Sequence, residues 1–396
     1  MKSRVAIAIL VCALFLRTGY AADPNPTYQR GVDKIYNLYF DDAEKDFKSL
    51  TAEFPNEPRY WNGLASTIWL RILYQQQKLN IESFSFKDTF GTDQSRDEVA
   101  LAEEKRLEDT ARKSKEVADA LLKKNPKDVH ALYEKGASFA TLATFHATVK
   151  REYWKARGEA SEARDIDKQV LRIDPNFHDA EMSIGAYNYV MGILPSGFRL
   201  LLGVVGMGGD GKDVGIRQIE SAARMGSESS TDAKMLLLIV YNREGRHGDA
   251  LKLVDELHGK YPRNFLFEMS RAQIYRKLGQ YDQANETYRS ILKKIASKTN
   301  GYERLRASKV YYDQAKGQTE QKDFGAVYAS YAKVVDSKSD ATPDERADSL
   351  IWMGKILDSQ MKRSAALEHY NAVDKLDCKA EYKTQANTYK KKPFQS

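Results

Sequence analysis

A proline phrase that returns along the chain restricts the fold more than any other feature: Glu53-Phe54-Pro55, Lys124-Asn125-Pro126, Ile173-Asp174-Pro175 and Lys260-Tyr261-Pro262. Proline lacks the amide proton that would continue a helix and disfavours helical geometry in the residue before it, so each phrase marks a helix end. Only 10 prolines occur in 396 residues, and most sit between helical patterns. No alternation of period two runs over a useful length, so an all-α chain with essentially no sheet is expected.

The apolar residues between these stops repeat in register. From Thr231 to Asn264, Leu237, Leu238 and Tyr241 take positions 7, 8 and 11, with Gly245 at a turn. Ala250, Val254 and Leu257 then take 20, 24 and 27, and Pro262 takes 32. The next unit follows without a gap, with Ala272, Tyr275, Ala284, Tyr288 and Ile291 at 8, 11, 20, 24 and 27. This pattern resembles the tetratricopeptide repeat. In that repeat, small residues at 8 and 20 let two antiparallel helices approach closely, and aromatics at 11 and 24 fill the seam. The frame also fits Gly31, Ala43, Phe47, Leu50 and Pro55 in a first unit and Trp61, Leu64 and Ala65 in a second. Leu132 and Gly136, then Ile184 and Gly185, open two more. Ala315, Tyr331 and Val334 fall in one C-terminal unit, and Gly354, Ala366 and Tyr370 in another.

The resemblance implies an α-solenoid of about eight tetratricopeptide-like helix pairs. An N-terminal array over 22–230 carries insertions at 75–106, 140–160 and 190–213. A C-terminal array over 231–396 ends in a basic capping helix from Lys379 to Lys392.

The N-terminus has the layout of a secretory signal. Lys2 and Arg4 precede an apolar run from Val5 to Leu16, and Gly19-Tyr20-Ala21 places small residues three and one before a cut after Ala21. A membrane anchor is the alternative, but the run is short for a bilayer. Residues 1–21 hold three basic residues and no acidic one, so a net charge of +7 falls to 59 basic against 55 acidic residues, or +4. That balance argues against a nucleic-acid partner. Cys378 alone remains after the signal, so no internal disulfide is available. The expected location is exported, in the periplasm or beyond.

Chemistry is hard to find. Gly206-Met-Gly-Gly-Asp-Gly211-Lys212-Asp213 resembles a phosphate-binding loop, but Asp213 stands where a magnesium-binding hydroxyl is needed. Such a loop also works only between a strand and a helix. The run is read as a connector, and no cofactor is expected. The histidines form no close metal-binding pair, and no nucleophile elbow occurs. The chain is therefore expected not to be an enzyme. The apolar segment 187–206 is unusual, and the stretch 187–220 is loosely similar to a eukaryotic mitochondrial outer-membrane tetratricopeptide family. It could form an apolar pocket or a docking element.

In tetratricopeptide arrays, positions 2, 5, 9 and 12 of each first helix face the groove. Here those positions supply Met235, Ile239 and Asn242, then Met269, Gln273 and Arg276, then Tyr312 and Lys316. The mixture suits an extended peptide or an amphipathic helix. The expected function is a non-enzymatic protein-binding scaffold or assembly factor in the bacterial cell envelope. The alternative is a periplasmic carrier for an apolar ligand, or a transporter-associated component, using 187–206 with peripheral membrane contact.

Overall fold

The computed structural model describes residues 25–76, 78–79, 101–193, 211–336 and 340–395. The signal segment, residues 80–100 of the first insertion, and the 194–210 stretch with most of the glycine run lie outside the described residues. Those described form seventeen α-helices and no strand.

Residues up to Tyr261 make one compact unit and those from Pro262 another. In the first, the helices pair in sequence: α1 (Pro26–Tyr36) with α2 (Phe40–Glu53), and α3 (Pro58–Gln75) with α4 (Leu101–Lys124). Then come α5 (Val129–Phe145) with α6 (Tyr153–Ile173), α7 (Glu181–Ile193) with α8 (Lys212–Met225), and α9 (Ser230–Arg243) with α10 (His247–Lys260). The second unit holds α11 (Phe265–Lys277) with α12 (Tyr281–Ala296), α13 (Ala307–Glu320) with α14 (Phe324–Asp336), and α15 (Pro343–Ser359) with α16 (Arg363–Val373). The cap α17 (Ala380–Lys391) closes it. These are the eight pairs and capping helix that the repeat pattern implies.

The four proline phrases end α2, α4, α6 and α10, each helix stopping two residues before its proline. Several starts are set by side chains that satisfy orphan amides. Asp128 Oδ1 accepts from His130 and Ala131, Asn264 Oδ1 accepts from Leu266, and Thr342 with Glu345 forms a reciprocal capping box. The seams follow the frame. Ala43, Phe47 and Leu50 of the first pair are fully covered, and a Cβ on Gly31 would meet the Phe47 ring at 3.0 Å. In the fourth pair the helices touch backbone to backbone. A Cβ on Gly185 would lie 2.7 Å from the carbonyl oxygen of Gly215, and one on Gly215 would lie 2.6 Å from that of Gly185.

Three features give the layout its detail. The second helix of pair two already begins at Leu101, so residues 101–106 of the first insertion are helical. The insertion at 140–160 is a helical extension. α5 passes into a π turn at His146–Lys150, and Arg151 reverses the chain at φ 58°. The division at 261/262 falls one pair beyond the boundary read at 230/231. Tyr36 explains it: its hydroxyl donates to Asp232 of α9 at 2.5 Å, and its ring lies 4.8 Å from that of Tyr261. The fifth pair is thereby fastened to the first.

Candidate functional site

The structure divides the eight groove residues read from the sequence. Met235, Asn242 and Lys316 are half-buried, whereas Ile239, Met269, Gln273, Arg276 and Tyr312 are buried. Two of the buried donors, Arg276 and Tyr312, are engaged within the protein. Arg276 Nη2 donates to Glu320 Oε1 at 2.6 Å, and its stem crosses α13 where Gly317 leaves room. Burial alone would lower its pKa, but the Glu320 carboxylate outweighs that and raises it. Tyr312 donates to Asp348 Oδ2 at 2.7 Å, which stitches α13 to α15. Burial, followed by the Asp348 charge, pushes its hydroxyl far above the usual tyrosine range.

Two lysines of the second unit rest on aromatic rings. Lys316 Nζ lies 4.5 Å from the centroid of Tyr312. Taking Gly354 as position 8 of its unit, Lys355 occupies position 9, the same repeat position as Lys316. Its Nζ sits among three rings, 4.4 Å from Trp352, 5.1 Å from Tyr389 and 5.5 Å from Phe394. Both lysines are half-buried, and neither meets a carboxylate among the described residues. Ammonium groups held over π faces are attracted by the ring quadrupole while keeping their donors for another group. Phe394 is held in place by its amide, which donates to Asp358 Oδ2 at 2.9 Å, and Asp358 is itself clamped by Arg363 and Tyr370.

The first unit contains a polar seam that the sequence reading passed over. Arg59 of α3 is buried between Glu134 Oε1 at 3.8 Å and Glu228 Oε1 at 4.0 Å, with its guanidinium over the Tyr28 ring. Asn62 Nδ2 donates to Glu134 Oε2 at 2.7 Å, and Ser138 donates to Asn62 Oδ1 at 3.0 Å. Asp179 sets the loop that delivers Glu228, accepting from the amides of Glu228 at 3.0 Å and Ser229 at 2.7 Å. With Trp61 at position 4 and Thr231 at position 1, Arg59 and Asp232 both stand at position 2. The frame therefore held a signal for them. Nothing in the frame marks Glu134 or Glu228.

Lys212, the lysine of the glycine run, is committed within the protein. Its Nζ pairs with Glu244 Oε2 at 2.6 Å, and Tyr189 donates to Glu244 Oε1 at 2.9 Å. Gly211 precedes it at φ 102°, a left-handed conformation that glycine adopts without strain. His146 is buried between Glu159 Oε2 at 2.6 Å and Glu108 Oε1 at 3.3 Å, with Lys150 against Glu108 at 2.9 Å. Among the described residues no group of His, Cys, Asp and Glu is arranged to hold a metal ion.

The family model for Iml2/Tetratricopeptide repeat protein 39 matches residues 110–342, more than half of the 396-residue chain. The chain belongs to the Iml2/Tetratricopeptide repeat protein 39 family. The match takes in the 187–220 stretch noted in the sequence. Solved structures that the chain is similar to include TTC0263, a thermophilic tetratricopeptide protein of Thermus thermophilus, at 15% identity and a TM-score of 0.34 over 63% of this chain and 96% of that one. Yeast Tom70 aligns at 13% identity and 0.35 over 92% and 94%. A human IFIT1 dimer with m7Gppp-AAAA aligns at 17% and 0.38 over 98% and 89%. No curated protein matches the chain. An Iml2/Tetratricopeptide repeat protein 39 chain of stacked pairs has the architecture of a protein-interaction scaffold.

Proposed function

We propose that this protein is an exported, non-enzymatic scaffold of the bacterial cell envelope that holds an acidic segment of a partner protein. The segment lies against the face formed by Lys316, Lys355 and the rings around them. The observation that carries the reading is the state of these two ammonium groups. Each rests on aromatic rings, is half-buried, and meets no carboxylate among the described residues. A peptide carboxylate would gain charge-assisted hydrogen bonds there, and the neighbouring rings would cover its apolar residues. The signal-like N-terminus supports export.

Panning a phage-displayed peptide library on the purified chain is expected to enrich sequences rich in glutamate and aspartate. The K316E/K355E variant should lose them. A library that enriches nothing would sink the scaffold reading, and neutral peptides indifferent to both lysines would place the contact elsewhere. N-terminal sequencing of exported protein should return Ala22 as the first residue, and finding Met1 would refute cleavage. The carrier alternative through 187–206 is tested by mass spectrometry before and after solvent extraction. A co-purifying apolar ligand would favour it.

A further inference from the structure

Arg157, in the second turn of α6, is only 9% exposed, and its Nε and Nη2 are buried with no hydrogen-bond partner. It forms no ion pair among the described residues, and its guanidinium carbon lies 5.5 Å from the centroid of the Trp154 ring. Its own helix cannot supply an anion. The residues three and four away are Tyr153, Trp154, Ala160 and Ser161, none of them acidic. The nearby carboxylates are engaged elsewhere, Glu159 with His146 at 2.6 Å and Glu152 near Lys155 and Lys150 at 3.7 and 3.8 Å. An uncompensated buried guanidinium is expensive for a fold, and it could be replaced at no loss by an apolar side chain of similar volume.

Beside the buried guanidinium, two neighbouring positions of α6 are open to solvent. Trp154 is 63% exposed, and a Cβ built on Gly158 would meet nothing within 4 Å. The first turn of α6 begins at Tyr153 with no side-chain cap on its amides, so the positive end of a 21-residue helix is also directed here. Tryptophan and arginine together are the residue types that concentrate binding energy at protein interfaces.

We propose that Arg157 and Trp154 form an anchor for a carboxylate of a partner protein, the guanidinium taking the acid and the indole covering the apolar residue beside it. This rests on the scaffold reading but uses a different surface from the Lys316–Lys355 face, so the two are tested apart. In the K316Q/K355Q background, the peptide acetyl-(Glu-Leu)4-amide is titrated while the side-chain ¹⁵Nε resonance of Arg157 is followed. A saturable shift is expected, with affinity about tenfold weaker for the glutamine-for-glutamate peptide and several-fold weaker in W154A. An unmoved Arg157 resonance overturns the proposal whatever happens at the lysines. So does a shift produced equally by inorganic phosphate or by phosphatidylglycerol vesicles, or an affinity unchanged in W154A. Thermal melting supplies a readout free of any ligand. Arg157→Met is expected to melt at or above the parent temperature, because an unpaired buried charge is removed. A fall of several degrees, or failure to fold, would assign Arg157 a structural role and overturn the proposal.

Discussion

The Tyr36 hydroxyl donates a 2.5 Å hydrogen bond to Asp232, 196 residues further along the chain, and both residues are buried. The other oxygen of that carboxyl, Oδ2, has no hydrogen-bond partner. Burial raises the Asp232 pKa well above the usual carboxylate range, against the opposing effect of the Tyr36 bond. Tyr36→Phe leaves a buried acceptor unsatisfied and should cost about 1–3 kcal/mol in urea unfolding. Asp232→Asn keeps an acceptor oxygen for Tyr36 and removes the ionisable group, so it should be neutral or stabilising once the pH is high enough to ionise Asp232. If Tyr36→Phe unfolds at the parental midpoint, the contact does not fasten the fifth pair to the first.

Two groups give the stability curve opposite arms. Burial lowers His130 from 6.5 to about 4. The unfolded chain therefore takes up this proton first as the pH falls, and stability present above pH 6.5 is lost towards pH 4. Asp232 is raised, so its contribution is present below its unfolded value of 3.8 and lost as the pH rises towards its folded pKa. Denaturation midpoints between pH 4 and 9 should show His130→Gln flattening the loss on acidification below pH 6.5 and Asp232→Asn flattening the loss as the pH is raised above 3.8. A parental curve unchanged by either substitution would show that neither group titrates differently on folding.

Gly215→Ala should be among the most damaging single-methyl changes in the chain. The added Cβ would lie 2.6 Å from the Gly185 carbonyl oxygen, a backbone atom that cannot turn aside. Separating α7 from α8 should cost about 1–3 kcal/mol or more. Gly248→Ala, where a Cβ meets nothing within 4 Å, serves as the control and should be neutral or mildly stabilising. Equal melting temperatures for the two variants would refute the close approach.

Ala250 is wholly buried in the seam of the fifth pair, whereas the Lys252 side chain is 84% exposed. Ala250→Leu must push α9 from α10, at about 1–3 kcal/mol, and Lys252→Leu should leave the melting temperature unchanged. Hydrogen exchange should locate the faster opening in α9 and α10, in α8 beside them and, through Tyr36, in α1. Uniform opening along the whole chain would contradict this.

Lys212→Ala removes a partly exposed ion pair with Glu244 and should cost less than about 1 kcal/mol. Since its Nζ is already engaged at 2.6 Å, magnesium-ATP should not raise the melting temperature of the parent. An ATP-dependent rise abolished by Lys212→Ala would instead make the glycine run a nucleotide site.

The sequence by itself determined the helices, their ends and their pairing. Pro55, Pro126, Pro175 and Pro262 act through covalent geometry, and Gly31 and Phe47 or Ala250 and Val254 act within one helix pair, so neighbours along the chain suffice to decide them. The fates of Arg276 and Tyr312 were settled by partners 44 and 36 residues away, Glu320 and Asp348, and no spacing rule reports whether such a partner arrives. Only the tertiary structure showed that Tyr36 meets Asp232 and that Arg157 meets no anion among the described residues. Both depend on how the curvature of successive pairs accumulates, and each pair contributes a rotation set by the detailed packing of its seam.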